Sequence, residues 1–106
     1  MTLQQLVKVT KALADPTRFH LLQTIAERGE TSCGELVRQF PLAQATISRH
    51  LKILTEAGLV EVRREGQFNY YRMLRGMLEE YHQALDAALG GGNLIDLVPS
   101  ARRETL

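Results

Sequence analysis

The chain has 106 residues, enough for one compact domain and too few for two. Hydrophobic residues make up 44% and charged residues 24% of it, which excludes a disordered acidic coil, and no apolar run approaches the roughly 18 residues that span a bilayer. The formal net charge is only +1, so any attraction for a polyanion must come from local placement. The excess lies in the middle, where residues 42–73 carry five Lys and Arg against three Asp and Glu.

The opening Met1-Thr2-Leu3-Gln4-Gln5 lacks the basic start and apolar stretch of a secretory signal, so a cytoplasmic location is expected, with no membrane partner. Leu3, Leu6, Val7, Thr10 and Leu13 fall at helical spacing with Gln4, Gln5, Lys8 and Lys11 opposite, which predicts an amphipathic helix over 2–14. Asp15-Pro16 then starts a second helix, the carboxylate accepting from orphan amides and proline losing no needed donor. Its expected buried stripe is Phe19, Leu22, Ile25 and Ala26, and Gly29 supplies the stop. Ser32-Cys33-Gly34-Glu35 fits a reciprocal capping box for a third helix. That helix turns Leu36, Val37 and Phe40 inward and stops before Pro41. Ile47, Leu51 and Leu54 resume the helical period across 45–57, with Gly58 closing the fourth helix.

Leu59-Val60-Glu61-Val62-Arg63-Arg64 alternates at period two, and Phe68-Asn69-Tyr70-Tyr71-Arg72-Met73 returns after Glu65-Gly66-Gln67, which predicts a hairpin. A last helical stripe of Leu74, Met77, Leu78, Tyr81, Leu85 and Leu89 runs into Gly90-Gly91-Gly92, a flexible joint before a C-terminal tail. The predicted fold is mainly α with a small β-hairpin: a winged helix-turn-helix over 1–90, followed by a flexible tail over 91–106.

A helix preceded by a tight turn fits the DNA major groove. The exposed positions of the fourth helix are Gln44, Thr46, Ser48, Arg49, His50 and Lys52. Gln and Arg make paired hydrogen bonds to adenine and guanine edges, while Ser and Thr serve bases or phosphates. Arg63 and Arg64 place cations at the hairpin tip, next to that helix. The terminal helices carry more apolar surface than a small core needs. Leu3, Leu6 and Val7 at one end and Met77, Leu78, Tyr81, Leu85 and Leu89 at the other are the expected faces of an isologous homodimer. Such a dimer would set two reading helices on a palindromic duplex operator. The other reading is a winged-helix adaptor that uses the same surface against a protein. Neither a catalytic constellation nor a phosphate-binding glycine loop is present in the sequence, so no enzyme activity is expected.

Ala12-Leu13-Ala14-Asp15-Pro16-Thr17-Arg18, Gln44-Ala45-Thr46-Ile47-Ser48-Arg49-His50-Leu51-Lys52-Ile53-Leu54, Ala57-Gly58-Leu59-Val60 and Tyr70-Tyr71-Arg72 resemble the ArsR/SmtB family of bacterial repressors, over roughly residues 3–90. The resemblance implies a homodimeric winged-helix repressor released from its operator by a small effector, often a metal or metalloid. It implies DNA contacts from Gln44, Thr46, Ser48, Arg49 and His50, and from Arg64 on the wing. Members that sense arsenic or cadmium place Cys-x-Cys, often with a third Cys, at the start of the third helix, because soft thiolates select thiophilic ions. Here Ser32, Gly34 and Val37 hold the matching positions, and the lone Cys33 falls between them. Zinc- and nickel-type members place Asp-x-His and His-x-x-Glu or His-x-x-His along the last helix. Here Glu79, His82 and Asp86 share one face at a different spacing, so no metal site and no cofactor is expected. Cys33 is either a buried structural cysteine or a candidate thiol sensor, its thiolate favoured near a helix start. Ala43 stands where the family often has a serine cap for the reading helix.

Overall fold

The computed structural model describes residues 1–91. Its elements, in chain order, are α1 (Leu3–Leu13), α2 (Pro16–Arg28), β1 (Glu30–Ser32), α3 (Cys33–Gln39), α4 (Gln44–Glu56), β2 (Val60–Glu65), β3 (Phe68–Met73) and α5 (Arg75–Ala88). The expected tail lies outside the described residues except for Gly91.

The helix starts follow local chemistry. Thr2 and Ser32 each accept from the backbone N–H three residues on, while the Gln5 and Glu35 side chains return the favour to the cap's own N–H. Asp15 caps α2 ahead of Pro16 by accepting from Arg18 N–H at 3.0 Å. At the other end of α4, Gly58 adopts φ 82°. Gly58 N–H donates to the Thr55 carbonyl and Leu59 N–H to the Leu54 carbonyl, both at 3.0 Å. These are the two bonds of a Schellman stop, and Leu54 and Leu59 bury the apolar contact that accompanies it.

A strand absent from the sequence reading completes the sheet. β1 pairs antiparallel with β3, giving the order β1-β3-β2 instead of a bare hairpin. Three residues are too few to show a period, so only pairing with β3 reveals the strand. β2 and β3 meet in register from Val60 opposite Met73 to Glu65 opposite Phe68. The loop is therefore Gly66-Gln67 alone. Gly66 has φ 61° and Gln67 is not in the positive-φ region, the arrangement a type II′ turn requires.

The core sits between α2, α3, α4 and the sheet's inner face. Leu21, Ile25, Leu36, Ile47, Leu51, Leu54 and Leu59 are fully buried, and each aliphatic side chain removed from water contributes about 1.5–3 kcal/mol. Two expectations for α2 fail. Phe19 remains 46% exposed and Ala26 is exposed, because the buried face of α2 is centred on Leu21, Leu22, Thr24 and Ile25. In α1 the inward residues are Leu6, Val9 and Ala12, so the stripe is rotated from the expected one. Leu3 at 72% and Val7 at 40% exposure face outward. Leu6, expected at a dimer interface, is taken up by its own chain's core, and Met77 and Tyr81 pack against that core from α5.

α5 buries no residue fully. It leans on α1, where the Thr10 and Tyr81 hydroxyls share a 2.8 Å hydrogen bond. Leu78 and Leu85 are half-buried and Leu89 is 79% exposed. No helix among the described residues is long and apolar enough to cross a membrane.

Candidate nucleic-acid interface

α3 and α4 are joined by Phe40-Pro41-Leu42-Ala43, a turn tight enough for Leu42 N–H to donate to the Phe40 carbonyl at 2.7 Å. Burial of Ile47, Leu51 and Leu54 fixes the rotation of α4 about its axis. That rotation turns Gln44, Ser48, Arg49 and Lys52 outward as one exposed face. Thr46 and His50 lie on the flank, half-buried, so the six expected contact residues divide into four that are exposed and two that are partly covered by the body. Ala43 at the N-cap has extended geometry, φ −67° and ψ 151°, but supplies no side-chain acceptor.

The two wing arginines also divide. Pleating puts Arg63, Glu65, Glu61, Tyr70 and Arg72 on the sheet's outer face and Arg64 with Asn69, Val62 and Tyr71 on the inner one. On the outer face, the Arg63 guanidinium donates to both Glu30 carboxylate oxygens at 3.0 Å and to Glu65 at 2.7 Å, and lies 4.7 Å from the Tyr70 ring centre. Hydrogen bonding from Arg63 holds the Glu30 carboxyl below the usual range. Arg72 bonds Glu61 alongside. This face is a nearly neutral ladder. Arg64 has no ion-pair partner among the described residues and is exposed on the side toward α4.

Between α4 and the wing lies a groove of about 440 Å³ lined by Cys33, Gln44, Ser48, Gln67, Asn69 and Tyr71, among others. The structure thus brings two predicted contact residues, Gln44 and Ser48, together with wing residues the sequence reading did not single out, Gln67 and Asn69. Their signal was weak, since a polar residue in a hairpin is ordinary. Cys33 is half-exposed, not buried, with its Sγ 4.0 Å from Ser48 Oγ. Tyr71 closes the floor, and burial pushes its hydroxyl pKa upward. His82 and Asp86 lie together near the end of α5, but no group of three or more His, Cys, Asp or Glu side chains placed to hold a metal ion occurs among the described residues.

An outward polar helix reached by a tight turn from α3 and flanked by a cation-bearing hairpin defines a winged helix-turn-helix domain of the DNA-binding kind. The helix-turn-helix domain family matches residues 13–63. The chain is 45% identical over 83 residues to the arsenic resistance transcriptional regulator ArsR1 of Pseudomonas putida, covering 78% of this chain and 62% of that protein. It is 31% identical over 86 residues to the arsenical resistance operon repressor of Staphylococcus xylosus, covering 81% of this chain and 82% of the relative. Its fold matches the solution structure of a homodimeric winged helix-turn-helix DNA-binding domain from Mycobacterium bovis. There the TM-score is 0.67 at 32% identity, over 81% of this chain and 80% of that one. The protein belongs to the ArsR family of transcriptional regulators.

Proposed function

We propose that the protein is a homodimeric cytoplasmic repressor that binds a palindromic operator. The observation that carries this reading is the exposed face of Gln44, Ser48, Arg49 and Lys52, set beside Arg64 of the wing, which has no ion-pair partner among the described residues. Gln44, Ser48 and Arg49 supply base-reading chemistry, and Lys52 and Arg64 supply phosphate contacts. The paired Arg63 stiffens the wing and contributes less to DNA affinity than Arg64. Of the cations, one chain sets Arg49, Lys52 and Arg64 at the reading face and wing, so affinity depends on doubling the site. The dimer is built from the exposed Leu3 and Val7 of α1 and Leu89 after α5, together with the half-buried Leu78 and Leu85 of α5, with Leu6, Met77 and Tyr81 supporting them from within. Residues 1–90 form the binding and dimerisation unit. Two-fold symmetry then places the reading helices about 34 Å apart, one DNA turn or a multiple.

Fluorescence anisotropy tests this on DNA from immediately upstream of the protein's own coding region, against scrambled duplex, at several salt concentrations. Operator-selective binding that falls with a log–log slope of about −0.9 per neutralised phosphate is expected. Failure to discriminate between the two duplexes would refute the repressor reading and favour the adaptor.

A further inference from the structure

The Asp-Pro-Thr-Arg segment holds a residue whose work becomes visible only in three dimensions. Arg18 lies where α1, α2 and α4 converge. Its Nε donates to the Ala12 carbonyl at 2.9 Å and its Nη2 to the Lys11 carbonyl at 3.3 Å. These carbonyls belong to the last turn of α1, where the helix carries partial negative charge. The third arm reaches α4, with Nη1 at 3.3 Å from His50 Nδ1. A guanidinium has donors only, so this contact is a hydrogen bond when Nδ1 offers its lone pair. The ring is then neutral with its proton on Nε2, and Nε2–H finds no acceptor among the described residues.

We propose that Arg18 is a positioning residue for DNA: it fixes the His50 ring through Nδ1 and thereby presents Nε2–H to a phosphate oxygen of the bound strand. A phosphate is the fitting acceptor because His50 is on the flank of α4, off the outward face of Gln44, Ser48, Arg49 and Lys52. A strand bordering the groove passes there. The charged groups of this corner are Arg18, the exposed Lys11 and the Asp15 carboxylate, which is engaged by the Arg18 backbone N–H. The same guanidinium ties the end of α1 to the reading helix, so a displacement of α1 is felt at His50.

The inference rests on the DNA-binding reading above, and the test separates the two. In the free protein at about pH 8, where imidazole is neutral, long-range proton–nitrogen NMR should show His50 protonated on Nε2, with Nδ1 at the position of a hydrogen-bonded acceptor. Arg18→Gln should move the Nδ1 resonance toward that of an unbonded nitrogen. Operator binding is then measured for the wild type, Arg18→Gln, His50→Ala and the double variant. Arg18→Gln is expected to weaken binding about five- to tenfold when His50 is present and less than about twofold when it is absent. Arg18→Lys, which keeps the charge without the planar fork, replaces Arg18→Gln in both measurements if the latter does not fold. An Nδ1 resonance insensitive to Arg18, or equal losses in the two backgrounds, would overturn the proposal. Wild-type protein that fails to select the operator overturns the DNA reading and the phosphate contact with it, while the NMR result still decides whether Arg18 holds the ring.

Discussion

The reading helix begins without a cap, and supplying one should stabilise the domain. Ala43 has φ −67° and ψ 151°, close to Thr2 at −79° and 165° and Ser32 at −86° and 157°. Both of those residues accept a hydrogen bond from the first turn of the helix they begin. A serine at position 43 therefore needs no backbone change to aim its hydroxyl at the N–H of Ala45 or Thr46. Thr46 N–H already donates to the Ala43 carbonyl at 3.0 Å, so the gain there is a shared bond, while Ala45 N–H has only water to lose. Caps of this kind contribute about 0.5–2 kcal/mol, typically ~1. For a domain of this size ~1 kcal/mol raises the Tm by about 4–8 °C. Urea and thermal unfolding followed by circular dichroism, at one fixed protein concentration because the apparent stability of a self-associating protein varies with concentration, measure the effect of Ala43→Ser. Ser32→Ala, which removes an existing cap, should shift the midpoint by a similar amount in the opposite direction. An unchanged or lowered Tm for Ala43→Ser, with Ser32→Ala behaving as expected, would refute the reasoning that the first turn of α4 lacks only an acceptor.

The remaining predictions concern the wing, the groove and acid. Arg64→Ala should weaken operator binding and make the salt slope shallower by about 0.9, while Arg63→Ala, already engaged by Glu30 and Glu65, should leave the slope nearly unchanged; equal slope changes in salt titrations by anisotropy would contradict the division of the two. Alkylation of Cys33 with a maleimide should lower operator affinity at least about tenfold, because the adduct enters the groove beside Ser48, a loss of about 1.4 kcal/mol; Cys33→Ala protein treated identically should bind as before. Glu35 accepts from Ser32 N–H and Thr31 Oγ1, and those bonds hold its carboxyl below the ordinary 4.5. A folded-state pKa below the unfolded one gives stability that is present above about 4.5 and lost as pH falls through the folded value. Glu35→Gln should thus be less stable than wild type near neutrality, with the gap closing in urea melts below pH 4.5; a gap constant across that range would contradict the linkage.

Most of the architecture was legible in the chain because its signals are local. Asp15-Pro16, the Ser32–Glu35 box, Gly58 and the Gly66 turn act within four residues of themselves, and helical spacing of Ile47, Leu51 and Leu54 located the reading helix. The sequence alone therefore determined that helices and a hairpin occur in the order of a winged helix, and which polar residues share a helix with that apolar stripe. What it could not determine was the rotation of each helix against its neighbours. An apolar residue at the edge of a stripe can face either way, which is why Phe19 and Ala26 lie outside the core while Leu21 and Thr24 lie within it. Strand β1 exists only because Glu30–Ser32 meets Tyr70–Arg72, and that same pairing brings Glu30 to Arg63 and separates its role from Arg64's. The contact between Arg18 and His50 joins positions 32 apart. Side-chain pairings over such distances depend on how packed elements are placed, and packing is settled by the whole core at once rather than by any local segment.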